Sequence, residues 1–494
     1  VIKNKSNKLI PNKTILWIVL AAIILAAVNT IAMGFEIYFV VLIPFILLLL
    51  FYYFFSYEKL FLALAVIIPF SISLELVDYN LALSIPSEPI LFLLLILTIY
   101  RFISTSSPIG YSNHSITITI AIYFIWLIIS SFFSQMPLVS WKFVLARAWL
   151  VFPAFFLGVP MFFKDIKYQK YFLNLFLVSL VIIAVISTIK HATYGFDFKL
   201  SYLACQPFYR DHTIYGAALS LMIPYAFFQT FNSKNIFNNR ILYFICFLIL
   251  ILALILSSSR AAWVSTAVAL GVGIIIFLGI KFRYILLALV IVATTIMMNY
   301  QSIKYQMERN TNVSRKNASS HVRSITNIST DLSNTERINR WVSAIRISKD
   351  YPIVGSGPGT YQFIYAPYQL PQYQTYISTN VGNKGNAHSE FLGPLSETGI
   401  PGMLTVVAIV FSLLITGFRL FFKLKHLDKN RAMIVLSVTI ALLAYFLHGF
   451  LNNYLENDKI AFPVWSYAAI LTANYYWLHW YKKEAELDKS QINE

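Results

Sequence analysis

The sequence predicts an all-α polytopic membrane protein of about 12–14 transmembrane helices with one large extracytoplasmic loop domain. Hydrophobic residues make up 58% of the chain and charged residues 12%, with a mean hydropathy of +0.68; a soluble globular chain is about a quarter charged. Apolar runs of about 20 residues, the length that crosses a hydrocarbon core, recur almost throughout. A polar segment, 300–398, stands apart from them in the C-terminal part.

Taken in order, the runs are 14–34, 37–55, 60–77, 85–103, 115–134, 143–163, 171–189, 212–231, 241–257, 261–280, 283–300, 400–421, 431–449 and 460–480. Pro86 and Pro89 interrupt the fourth, and Pro153 and Pro160 the sixth, which also contains Arg147. The basic segment Lys3–Lys13 precedes a first run about twice as long as a signal-peptide core, so it reads as a retained helix. Three regions follow: an N-terminal bundle over 1–299, the loop domain over 300–398, and C-terminal helices with a tail over 399–494.

Basic residues set the orientation. With the N-terminus in the cytoplasm, Lys59, Arg101, Lys164, Lys167, Lys170, Lys234, Arg240, Lys281, Arg283, Arg419, Lys423, Lys425, Lys429, Arg431, Lys482 and Lys483 fall on the inner side. The C-terminus is then cytoplasmic too, and 300–398 lies outside with the loops at 78–88, 135–142, 190–211, 257–260 and 450–459. Much of the formal charge of +17 is therefore topological, and no nucleic-acid partner is implied. Cys205 and Cys246, in an outer loop and a helix, build no disulfide framework.

Within the outer segment, 301–334 is rich in Asn, Ser, Thr, Arg and Lys and reads as a connector. Ser333 to Glu336 has capping-box spacing, and Ile338, Trp341, Val342 and Ile345 recur at helical spacing, predicting an amphipathic helix that packs by Trp341 and Ile345 and ends before Pro352. Gly355, Gly357 and Gly359 then mark a turn of close approach. Arg337 and Arg340, one turn apart, suit solvent, lipid headgroups or an anionic ligand.

Ionisable groups at the membrane boundary are costly and point to function. Arg210, in Tyr209-Arg210-Asp211-His212, and Arg260, in a Ser257–Ser259 turn, face the outer side at similar depth to Lys142 and Arg147. The alternative for each is snorkelling to lipid phosphate. A fork of guanidinium groups can hold a diphosphate and neutralise it as it departs. The chain has no Asp-x-Asp pair and no Cys or His cluster at ligand spacing, so neither a metal nor another cofactor is predicted. His388 can supply the complementary function, accepting a proton from an attacking hydroxyl. His191, His212, His321 and His448 also fall on the outer side, and position alone does not choose among them.

His388-Ser389, nine residues, then Gly399-Ile400-Pro401-Gly402 resembles the signature of the O-antigen ligase and polymerase family. Arg337, Trp341, Pro352, Gly355, Gly357 and Gly359 resemble its stretch before the histidine, and Ser259-Arg260-Ala261-Ala262-Trp263 its arginine-bearing turn. Met403-Leu404 stands where ligases often carry two threonines.

The resemblance implies a metal-independent membrane glycosyltransferase of GT-C-like architecture in the bacterial inner membrane, active on the periplasmic side. Its donor would be an undecaprenyl-diphosphate-linked glycan and its acceptor a glycan or glycolipid hydroxyl, with membrane lipids around it. His388 would be the base, Arg210 and Arg260 the diphosphate ligands with Arg147 a third, and Asp211, His212, Arg337, Arg340, Glu390, Gly399 and Gly402 would support them. Lipopolysaccharide core ligation, O-unit polymerisation and glycan transfer to protein share these motifs. A lipid-linked oligosaccharide flippase would share the composition but commonly shows internal repeats and ionisable residues at the membrane midplane. A peptidoglycan polymerase would rely on an acidic residue.

Overall fold

A computed structural model describes residues 56–76, 81–104, 113–232, 239–281, 332–375 and 385–492, with short pieces at 283, 294–295, 297–302, 305 and 378. The expected runs 14–34 and 37–55, most of 283–300 and most of the 301–334 connector lie outside the described residues, as does His321. The chain divides into two units, 1–63 and 64–494, and everything that builds the site belongs to the second.

Each of the other apolar runs overlaps a helix. These are Tyr57–Phe70 (α1), Ser87–Ser104 (α2), Ser115–Phe132 (α3), Pro137–Lys164 (α4), Ile166–Thr193 (α5), His212–Asn232 (α6), Ile241–Leu256 (α7) and Arg260–Phe277 (α8). Leu332–Asp350 (α9), Leu392–Leu424 (α10), Lys429–His448 (α11) and Asp458–Ile492 (α12) follow. Among the described residues eight helices, α2 to α6, α8, α10 and α11, are long and apolar enough to cross a membrane, and the protein is a predominantly helical, multi-pass membrane protein.

Burial sorts the helices. In α6 and α11, 83% and 89% of the apolar window is buried, as expected of helices apolar on all sides. They form the centre. On α3, by contrast, Ile118, Ile122, Ile125 and Ile129 are exposed along one stripe, a face suited to lipid chains.

The run expected over 60–77 is corrected. The helix stops at Phe70, and Ile72–Leu76 (β1) pairs antiparallel with Leu81–Ile85 (β2), Ile72 opposite Ile85. Ile72, Leu74 and Leu76 alternate with Ser73 and Glu75, the period of a strand. Lys459 Nζ donates to the carbonyls of Ile68 (2.8 Å) and Ser71 (2.7 Å), satisfying groups that a helix end leaves open. The prolines expected to interrupt the sixth run do not end it. Pro153 opens a π-helical stretch, Pro153–Leu157, and α4 continues through it to Lys164.

The packing of α9 also differs from expectation. Its buried face is Glu336, Asn339, Arg340, Ser343, Ala344 and Ile347, whereas Ile345 is 42% exposed. The polar members of that face are paired with one another and with neighbours, so the apolar stripe at 338, 341, 342 and 345 does not mark it. Ser333 lies inside the helix and does not cap it; its Oγ accepts from Arg337 Nη1 at 2.9 Å.

The connections read as outer meet at one end of the bundle. The α3–α4 turn meets the glycine loop through Gln135 N–H to Ser356 O (2.9 Å). Ser258 Oγ reaches Phe198 O (3.1 Å), and Tyr454 Oη lies 2.5 Å from Thr213 Oγ1. Arg337 Nε donates to Leu451 O (3.2 Å), and Ser87 and Ser71 donate to Asp458. Loops that share one side in the sequence thus touch each other.

Candidate functional site

The site is built around the turn that leads into α10. Three consecutive residues there have three tasks. Ser389 Oγ accepts from the N–H groups of Phe391 and Leu392, both at 3.3 Å, capping the helix. Glu390 Oε1 accepts from Tyr445 Oη (2.5 Å), Tyr454 N–H (2.7 Å) and Leu455 N–H (3.0 Å), fixing the α11–α12 loop to the turn. His388 precedes them at a φ of 50°, a strained backbone for a non-glycine residue. Its N–H donates to Asn386 Oδ1 (3.1 Å), and its carbonyl accepts from Trp341 Nε1 (3.2 Å).

The spacing from His388 to Gly402 acquires a physical reason. The first part of α10 runs two turns to Gly399, where φ is 72° and the helix breaks. A Cβ at Gly399 would collide with the carbonyls of Pro352 and Ile353, and Ile400 N–H donates to Pro352 O at 2.9 Å. Gly402 admits the Thr398 side chain, and a Cβ there would also come within 3.1 Å of the Trp126 ring. Gly399 and Gly402 therefore join the glycine loop and α3 to α10, and their support of the site is structural. Gly357 N–H to Glu397 O (2.8 Å) and Ser130 Oγ to Val354 O (2.6 Å) complete that junction.

The imidazole of His388 is half-buried in charged company. Burial first, then Arg337 and Arg340, push it down to about 4, with Glu336 and Asp211 opposing. It is neutral near pH 7, the form that accepts a proton. Asp211 caps α6 through Thr213 N–H (2.8 Å) and lies 3.2 Å from His212 Nδ1. His212 and His448 are also within electrostatic reach of Asp211 and Arg337. His448 buries both ring nitrogens without a hydrogen-bond partner among the described residues and meets the Tyr454 ring edge-on at 5.6 Å. Asp211, His212, Arg337, His388, His448 and Tyr454 therefore form one cluster.

Arg210 is exposed immediately before Asp211. Arg260 is half-buried at the first residue of α8, and its turn packs on α6 one turn beyond His212, where a Cβ on Gly216 would meet Ser257 Oγ at 3.1 Å and Ala262 Cβ at 3.2 Å. Two expected residues stand elsewhere. Arg340 is 5% exposed, bonded to Glu336 Oε1 at 2.7 Å and stacked 4.4 Å over Tyr365. It stands as a strut beneath the His388 turn, the supporting rather than the ligand-binding role of those the sequence leaves open. Arg147 lines a separate cavity whose walls include neither Arg210 nor Arg260.

Sequence reasoning does not single out Tyr445, Tyr454, Glu397 or Glu456. Glu456, in a loop already placed outside, is legible as an ionisable group at the boundary; the tyrosines carry no spacing signal.

The family model described as O-antigen ligase matches residues 245–407, from α7 through Arg260 and His388 to just past Gly402. Arg147 and Arg210 precede the matched stretch. No curated protein matches the chain.

Proposed function

We propose that this protein, whose residues 245–407 match the O-antigen ligase family model, transfers a glycan from undecaprenyl diphosphate to a sugar hydroxyl of a glycan or glycolipid acceptor. The family implies glycosyltransferase-type chemistry on lipid-linked glycans in general. The finer reading is metal-independent, inverting transfer in a GT-C-like fold, at the periplasmic face of the bacterial inner membrane, with 300–398 as the extracytoplasmic domain.

The observation that carries this reading is the neutral, half-buried His388 clustered with Arg337 of α9 and with Asp211 at the start of α6, the helix against which the Arg260 turn packs. In the proposed reaction His388 accepts the acceptor's hydroxyl proton as the oxygen attacks the anomeric carbon. The bond from that carbon to the diphosphate oxygen breaks, and the diphosphate leaves with the electron pair. Arg210 and Arg260 hold it, and Arg337 adds positive charge beside the base. A preorganised cation at the developing charge contributes about 3–4 kcal/mol to such a step. A proton on His388 is favoured once the anion arrives, because the diphosphate offsets the field of Arg337 and Arg340.

The test is His388→Ala in the purified protein with an undecaprenyl-diphosphate glycan and candidate acceptors. Transfer is expected to vanish while insertion and thermal stability persist. Retained transfer overturns the base assignment. The acceptor that becomes extended separates core ligation, polymerisation and protein glycosylation.

A further inference from the structure

Arg147 belongs to a cavity of about 930 Å³, at the upper end of the about 300–1,000 Å³ usual for small-ligand sites. It lies between α3, α4, the glycine loop and the start of α10, and Asn386, Ala387 and Glu390, the residues flanking His388, form part of its wall. Two basic residues, Lys142 and Arg147, and three acidic ones, Glu390, Glu397 and Glu456, line it.

The polar groups here are incompletely used. Arg147 is 7% exposed, its Nη2 is 4.0 Å from Glu456 Oε1, and its Nη1 has no hydrogen-bond partner among the described residues. Asn453 Oδ1, on the same wall, is buried and likewise without a partner among them. A buried donor and a buried acceptor left open in one cavity are costly unless something fills them.

Charge selects the occupant. A diphosphate beside Arg147 would bring its negative charge against Glu390 and Glu456 on the same wall. A sugar ring would not. Each hydroxyl both donates and accepts, so it can satisfy Asn453 Oδ1 and Glu456 as acceptors and Arg147 Nη1 as donor. Phe143 and Phe363 also line the space, and an aromatic ring can pack against sugar C–H groups.

We propose that this cavity is a saccharide-binding site that takes an uncharged, hydroxyl-rich pyranose, supplied by the glycan of the lipid-linked donor or by the acceptor glycan. That such a sugar is a substrate rests on the transfer reading above; that the cavity holds a sugar does not. The site reassigns Arg147 from diphosphate to sugar recognition.

The experiment uses the full chain in lipid nanodiscs and ligand-observed saturation-transfer NMR. The probes are methyl glycosides of glucose, galactose and N-acetylglucosamine, with inorganic pyrophosphate as competitor. Saturation of at least one glycoside is expected, undisturbed by pyrophosphate, and weakened about fivefold or more in Arg147→Gln and in Asn453→Leu, the loss that one hydrogen bond of about 1 kcal/mol predicts. Asn453 sits in a loop, so its variant keeps the test decisive where the buried arginine variant fails to fold. No saturation with any glycoside, equal saturation in wild type and Asn453→Leu, or displacement by pyrophosphate would overturn the proposal. Initial rates with Asn453→Leu identify the source: a raised KM for acceptor or for lipid donor assigns the sugar to that substrate, and unchanged KM for both counts against the site. His388→Ala separates the two ideas, since it is expected to keep glycoside saturation. If it also keeps transfer, the base assignment fails while the cavity stands.

Discussion

The indole Nε1 of Trp341 donates to the backbone carbonyl of His388 at 3.2 Å. One helix of the polar segment thereby holds the strained turn that presents the imidazole. Trp341→Phe keeps much of the ring's bulk and removes the donor. A fall in kcat of about fivefold, with KM little changed, is expected from one hydrogen bond of about 1 kcal/mol. Steady-state transfer kinetics check it; equal kcat would release the indole from any positioning role.

The acidity of His388 predicts a pH profile. With the imidazole held at about 4, the base stays unprotonated down to that range, and the acid limb of kcat/KM for the free protein falls near pH 4 instead of near 6.5. The linkage has a definite sign. The unfolded chain binds a proton near 6.5 and the folded chain only near 4, so stability from this group is full above the unfolded value and is lost as pH falls from 6.5 to 4. Arg337→Gln removes one depressing charge and is expected to move the limb upward. A limb that stays put in that variant would separate Arg337 from His388.

Arginine at position 260 is expected to be irreplaceable by lysine. A guanidinium binds two phosphate oxygens at once, whereas an ammonium is a point charge. Arg260→Lys is predicted to lower kcat/KM for the lipid donor by about 10²-fold or more, the scale seen for loss of a preorganised charge donor, while leaving the protein folded. Near-normal rates would point to simple contact with lipid headgroups.

Gly399→Ala is expected to cost folding more than chemistry. The positive φ alone costs about 1–3 kcal/mol for a residue with a side chain, and the new methyl group would strike the carbonyls of Pro352 and Ile353. A lowered midpoint in a thermal size-exclusion assay, with residual activity proportional to the folded fraction, is the predicted result. A stable, inactive variant would instead place this glycine against substrate.

Much of this is legible in the chain. Hydropathy locates the helices because lipid demands long apolar runs with satisfied backbones, and the glycine end of the His388–Gly402 pattern falls on a helix break that only the structure shows. What escapes has physical reasons as well. The α9 face eludes an apolar pattern because the side chains it buries, Glu336, Asn339 and Arg340, are polar and paired, Asn339 with a partner thirty residues on. The pairing of 72–76 with 81–85 joins the end of an apolar run, where period two and period 3.6 compete, to the loop after it. Arg147 looks equivalent to Arg260 in one dimension; only folding brings Glu456 to it from more than three hundred residues away.

A single carboxylate, that of Glu390, ties the α11–α12 loop to the turn that carries His388 two residues before it. The imidazole and Asn453 thus hang from the same bracket. A shift of that loop is therefore felt at the His388 turn as well as at Asn453.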